Sequence, residues 1–141
     1  MTRRDADDGL IDALVQAAFQ TMAVLNKIAA ELDLSLTQLR VIAILRDRRV
    51  RMAALAEYLG LEKSTMTGLV DRAEQRGLLA REPSADDRRA IDVTITRAGA
   101  ELADRVYARV RDALAPSTRR LVGADRKKMQ ELLERMIARD A

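Results

Sequence analysis

Seven residues of this chain have types and spacing suited to gripping a polyanion. Ser64, Thr65, Thr67, Gly68 and Arg72 fall close to the start of one helical pattern, and Arg88 and Arg89 follow in a polar loop. Small hydroxyl residues at a helix start let a backbone approach closely. Their hydroxyls, with the first helical amides, suit phosphates and base edges. Gly68 costs its helix roughly 1 kcal/mol relative to Ala, which is tolerable where a neighbouring surface must come near. Taken alone, the same residues also describe the solvent face of an ordinary amphipathic helix. Covalent chemistry has little to work with. The chain has no Cys and no His, which excludes a thiol redox sensor, a disulfide framework and a Cys- or His-ligated zinc site. Catalysis would need a carboxylate pair, a Lys or an activated Ser, and nothing clusters them. We expect no enzyme, no cofactor and no metal.

Two helices and a hairpin must position the seven. In MAALAEYLG, Leu55, Tyr58 and Leu59 fall on one helical face and Gly60 ends the segment. The next pattern puts Met66, Leu69, Val70 and Ala73 at i, i+3, i+4 and i+7, so Ser64, Thr65, Thr67, Gly68 and Arg72 point away from the buried stripe. Two short helices across a tight Gly-containing turn form a helix-turn-helix. Leu78 to Glu82 and Ile91 to Ile95 then read as strands, the second in strict alternation. Between them PSADDRRA is a polar loop opened by Pro83, with Arg88 and Arg89 near its tip. Two guanidinium groups on such a tip suit a narrow groove of strong negative potential. Asp86 and Asp87 would repel phosphate, so they are assigned to holding the arginines or the loop in place. A hairpin placed directly after the second helix is a wing, and it decides for the DNA-facing reading.

The rest of the chain is helical. Only 2% of residues are aromatic while 48% are apolar, so the core must be aliphatic, which favours helices over a sandwich. The first ten residues are charged and read as frayed. Leu10, Leu14, Ala18, Met22 and Leu25 then mark a long helix to about Leu32. Ser35 and Gln38 match a capping box and open a helix through Leu39, Ile42, Ala43 and Leu45. Arg46 to Arg51 is too charged to be buried, and Val50 adds one short strand beside the wing. Thr96 caps a second long helix through Leu102, Val106, Val110 and Leu114, which Pro116 ends or kinks. A last helix from about Ala124 carries Met129, Leu132, Leu133, Met136 and Ile137. The net charge is only +3, so binding must depend on placement of charge rather than on a broad positive field. No apolar run approaches the ~20 residues of a membrane span, and MTRRDADDG lacks a signal peptide's apolar core. A cytoplasmic protein without membrane contact is the expectation.

A winged helix already closes a small core, so the first helix and the last two are left with broad apolar stripes. They pack either on the back of their own domain, as a monomer, or on a second copy. A two-fold dimer would set two recognition helices in successive major grooves about 34 Å apart, and we favour it.

The run LSLTQLRVIAIL followed by MAALAEYLGLEKSTMTGLVDRAEQRGLLAREPSADDRRAIDVTITRAG resembles the MarR family of bacterial transcriptional regulators. The STMTGLVDR run and the Asp87-Arg88-Arg89 wing, leading into Ile91, Val93, Thr96 and Gly99, carry the resemblance. It implies a mainly α fold with a small β-wing: a winged helix-turn-helix whose N- and C-terminal helices form a dimerisation region. Residues 1–34 would be the N-terminal dimerisation helix, 35–96 the DNA-binding domain and 97–141 the C-terminal dimerisation helices. Function would be that of a homodimeric repressor on double-stranded DNA, binding a pseudo-palindromic operator and released by a small anionic aromatic effector. Carried over, Ser64, Thr65, Thr67 and Gly68 would face the major groove, with Arg72 nearer the backbone. Arg89 and Arg88 would reach the minor groove, and Asp87 would orient the wing. The chain departs from the family at Glu62, where Ser or Thr usually caps the recognition helix, at Arg51, which replaces a hydroxyl, and at Gly68, often Arg in relatives. Glu62 and the nearly balanced local charge also fit an alternative, a protein-interaction module that kept the winged shape and lost DNA binding.

Overall fold

Short-range signals set the helix boundaries. In a computed structural model that describes residues 3–138, six helices and three strands run in the order α1 (Arg3–Glu31), α2 (Leu36–Leu45), β1 (Val50–Arg51), α3 (Met52–Leu59), α4 (Lys63–Gln75), β2 (Leu79–Pro83), β3 (Ile91–Ile95), α5 (Arg97–Thr118) and α6 (Gly123–Ile137). Ser35 closes the expected capping box: its Oγ accepts from Gln38 N at 3.1 Å, and Gln38 Oε1 accepts from Ser35 N at 2.9 Å. Thr96 caps α5 by accepting from Gly99 N. Gly60 ends α3 in the left-handed region at φ 66°, where an L side chain would strain the turn.

Several expectations need correction. Of the first ten residues, expected to be frayed, Arg3 to Leu10 are part of α1. Met1, Thr2 and residues 139–141, the outer ends of the expected first and last domains, lie outside the described residues. The first wing strand starts at Leu79 rather than Leu78, whose carbonyl instead receives Thr96 N. Pro116 does not end α5, which continues to Thr118; the amide that Pro lacks lies in the last turn, where little helix remains to disrupt. In α3 the buried face is Leu55 and Ala56, flanked by Met52 and Leu59, and Tyr58 turns outward to lie 5.5 Å beneath the Arg40 guanidinium. Three and four residues back from Leu59 are Ala56 and Leu55, so Tyr58 sits one step off the stripe.

The sheet is antiparallel in the order β1-β3-β2, with Val50 opposite Val93 and Leu79 opposite Ile95. Its inner face joins α2, α3 and α4 in one core, where Leu55, Met66, Val70 and Val93 are fully buried. Each such side chain contributes roughly 1.5–3 kcal/mol of burial. A second cluster, around Ile28, Leu39, Ile42, Leu102 and Val106, ties the end of α1 and the start of α5 to α2. The first half of α5 is thus core, not a surplus helix. Beyond this junction the apolar stripes lie bare: Leu10, Leu14, Phe19 and Met22 on α1 are exposed, and none of the described residues of α6 is buried.

Candidate nucleic-acid interface

The recognition face is built by the phase of α4. Burying Met66, Leu69, Val70 and Ala73 leaves Ser64, Thr65 and Arg72 exposed, while Thr67 and Gly68 are half-buried at the margin. Ser64, Gly68 and Arg72 form one i, i+4, i+8 row. Glu62 precedes the helix in extended backbone and makes no side-chain cap, so the first amides of α4 are left for an incoming acceptor. Thr67 donates its hydroxyl back to Lys63 O at 2.8 Å. Arg72 folds back along the row until its Nη1 stands 3.4 Å from where a Cβ at Gly68 would lie.

Electrostatically, the two acids of α4 are paired, while Glu62 just before it is exposed and has no ion pair among the described residues. Arg81, on β2, pairs with Asp71 and with Glu74 at 3.3 Å, and its guanidinium also donates to Thr67 O at 3.4 Å. Exposed pairs of this kind add little stability; their consequence is that both carboxylates of α4 already have a cation. Arg81 was not singled out in the sequence. Its signal was there: a basic residue in phase with buried Leu79 on a strand, after a helix carrying acids at i and i+3.

The wing is rigid at its base and open at its tip. Arg49 donates through Nε to Asp92 at 2.8 Å, lies 3.1 Å from Glu82 and reaches Pro83 O at 3.4 Å. Arg51, which makes no cap for α3, reaches across to Ser84 Oγ at 3.3 Å. These contacts explain why the expected alternation in β3 is broken. Asp92 is only 8% exposed because Arg49 covers it, whereas Ile91 is 45% exposed, beyond the helical layer that buries Val93. At the tip, Asp87 Oδ1 accepts from Arg89 N at 2.9 Å, an Asx turn, and Asp87 O accepts from Ala90 N at 3.0 Å. The aspartate therefore shapes the loop backbone and does not tether a guanidinium. Arg88 and Arg89 are exposed and, like Arg72, have no ion pair among the described residues. A cleft of about 620 Å³ between α3, α4 and the wing has Glu57, Thr67, Arg81, Arg89 and Ile91 on its walls. Thr67 and Arg89 thus share one opening, Ser64 and Arg72 lie on the outer row, and Arg88 is not among the residues lining the cleft.

Two further concavities lie away from this face. One of about 330 Å³ at the α1–α2–α5 junction is lined by Leu25, Leu39, Ile42, Val106, Tyr107 and Arg46. Arg46 stacks 5.2 Å over the Tyr107 ring and pairs with Asp104 at 2.9 Å. The other, about 660 Å³, is an apolar trough between the bare stripes of α1 and α6, with Leu14, Met22, Met129 and Leu133 among its walls. Among the described residues no helix is long and apolar enough to cross a membrane.

Residues 32–90 match a sequence profile described as the MarR family. The chain is 36% identical over 67 residues to the uncharacterised HTH-type regulator YfiV of Bacillus subtilis, 47% of this chain and 42% of that one. To the HTH-type transcriptional regulator PecS of Dickeya dadantii it is 30% identical over 115 residues, spanning 76% of this chain and 69% of PecS. Among solved structures, a mutant MarR from E. coli complexed with operator DNA superposes with a TM-score of 0.72 at 20% identity, covering 98% of this chain and 100% of that one. NadR in complex with 4-hydroxyphenylacetate does so with a TM-score of 0.75 at 22% identity, over 88% and 89% of the two chains. The exposed face of α4, the arginine-tipped wing and these matches lead to one assignment: the chain belongs to the MarR family of winged helix-turn-helix transcriptional regulators.

Proposed function

We propose that the chain acts in the cytoplasm as a homodimeric, non-enzymatic repressor that binds a pseudo-palindromic operator and is released by a small anionic aromatic ligand. The observation that carries this reading is the distribution of ion pairs. Arg49 and Arg81 are consumed by acids, while Arg72, Arg88 and Arg89 stand exposed without one on the recognition helix and wing tip. Unpaired guanidinium groups placed beside open helix amides are what a duplex requires. Ser64, Thr65, Thr67 and Gly68 then meet the major groove, Arg89 and Arg88 the minor groove, and Asp87 orients the tip through its bond to Arg89 N.

The bare stripes of α1 and α6 support the dimer. Contiguous apolar surface from Leu10 to Met22 and from Met129 to Ile137 is unusual on a monomer, and a second copy supplies an equal and symmetric stripe. On this reading the bare part of α1, within residues 1–34, and α6 with the second half of α5, within residues 97–141, form the dimerisation region around the DNA-binding residues 35–96. The ligand's place is the cavity of about 330 Å³ at the α1–α2–α5 junction, within the range of small-molecule sites. Its apolar walls suit an aromatic ring, and a carboxylate would compete with Asp104 for Arg46. That NadR is solved with 4-hydroxyphenylacetate supports this ligand class. A ligand that favours dimers with wrongly spaced recognition helices weakens DNA binding by population shift.

Selection from a random duplex pool, with light scattering on the same sample, tests the reading. The expected result is an inverted repeat and a mass twice 15.7 kDa. A dimer that selects no sequence, even at low salt, would leave the interaction-module reading in its place.

A further inference from the structure

We propose that Arg72 is the base-reading side chain of each half-site, and that Gly68 is what lets it read. The inference rests on the DNA-binding function proposed above. It replaces the expected placement of Arg72 on the phosphate backbone.

The geometry starts from helix direction. Side chains on an α-helix tilt toward its N-terminus and cover the turn before their own Cα. Arg72 therefore lies over residue 68. With no side chain at Gly68, its Nη1 comes within 3.4 Å of the position a Cβ would occupy. One end of the guanidinium thus lies over the Ser64–Gly68–Arg72 row, on the exposed side of the helix. Placed there, a planar five-donor fork faces base edges, and the acceptor pair N7 and O6 of guanine is its best-matched partner.

The fork is also left free to make that contact. The acids of its own helix, Asp71 and Glu74, stand one and two positions from Arg72 and so do not share its row. Both pair instead with Arg81. Arg72 is exposed and has no ion pair among the described residues. Ser64 and Thr65, small and exposed on the same face, let the helix sit deep enough for the fork to touch a base.

The test is selection from a random duplex pool with the full chain, Arg72→Ala and Arg72→Lys, followed by salt titrations on the site that the unsubstituted chain selects. Helical circular dichroism and a melt confirm that both variants fold. We expect the unsubstituted chain to prefer a G·C pair at one position per half-site. Arg72→Ala should lose that preference alone, with about 5- to 150-fold weaker binding to the selected site. On a site with that pair replaced, the same variant should bind as the unsubstituted chain does. Arg72→Lys should lose most of the preference too, because a point charge cannot reproduce a bidentate fork. Uniform weakening on all sequences with a salt slope lower by about one, restored by Lys, would put Arg72 on a phosphate and overturn the proposal. An unsubstituted chain that selects no sequence would instead remove the DNA-binding reading beneath it.

Discussion

Replacing Gly99 with Ala should loosen the joint between the wing sheet and α5. An added Cβ would stand 2.1 Å from Leu78 O and 2.7 Å from Ile95 Cγ1. A carbon–oxygen contact needs about 3.3 Å, so α5 and the β2 entry must separate by about 1.2 Å. Leu78 O is not free to move, because it accepts from Thr96 N at 3.1 Å. Stretching that bond past 4 Å breaks it, which costs about 1–3 kcal/mol for a buried carbonyl. Overpacking against Ile95 adds about 1–3 kcal/mol. The total, about 2–6 kcal/mol, should lower the melting midpoint by about 5–20 °C in a chain of this length. The assay is a thermal melt followed by circular dichroism at one fixed protein concentration, since a dimer's midpoint depends on it. Gly9→Ala is the control. Nothing lies within 4 Å of its added Cβ, so it should stabilise α1 by about 0.5–1 kcal/mol. If the two substitutions melt alike, the close approach at Gly99 is wrong.

Three other outcomes are expected. Arg89→Ala should lower the slope of log binding constant against log salt by about one and weaken the operator complex; an unchanged titration takes the wing out of the interface. Leu133→Asp, in the trough between α1 and α6, removes about 1.5–3 kcal/mol of burial twice per dimer. Light scattering at micromolar concentration should then report one subunit, and a persistent dimer would move the interface elsewhere. Arg49→Ala leaves Asp92, 8% exposed, without its cation. The loss of about 1–3 kcal/mol, toward the lower end because Arg49 is half-exposed, should be local: hydrogen exchange in β2 and β3 speeds up while the helical amides keep their protection. Uniform protection would show that the wing base does not depend on Arg49.

Much of the fold was legible because helix and turn signals act over a few residues. Ser35 with Gln38, Gly60, Thr96 and the Met66–Leu69–Val70–Ala73 stripe each set local backbone, and the structure has α2, the end of α3, the start of α5 and the buried face of α4 where they indicate. Even two-residue β1 was readable, since Val50 interrupts a charged run. Tyr58 misled, because an aromatic residue near Leu55 and Leu59 resembles core until the helical phase is fixed by what packs against it. Likewise, Asp92 and Ile91 follow the alternation of β3 in type but not in burial, because Arg49 covers one and nothing covers the other.

For the candidate interface, local order placed Ser64, Thr65, Thr67, Gly68 and Arg72 on one exposed side of a helix and two arginines on a loop. Which cations stay available there was settled only by folding. Arg49 meets Asp92 across 43 residues, Arg81 reaches back to Asp71 across ten, and Arg76 crosses 43 to the carbonyl of Asp33. Backbone preferences are decided by neighbours along the chain. Charge pairing is decided by neighbours in space, and those neighbours exist only once the apolar stripes have collapsed.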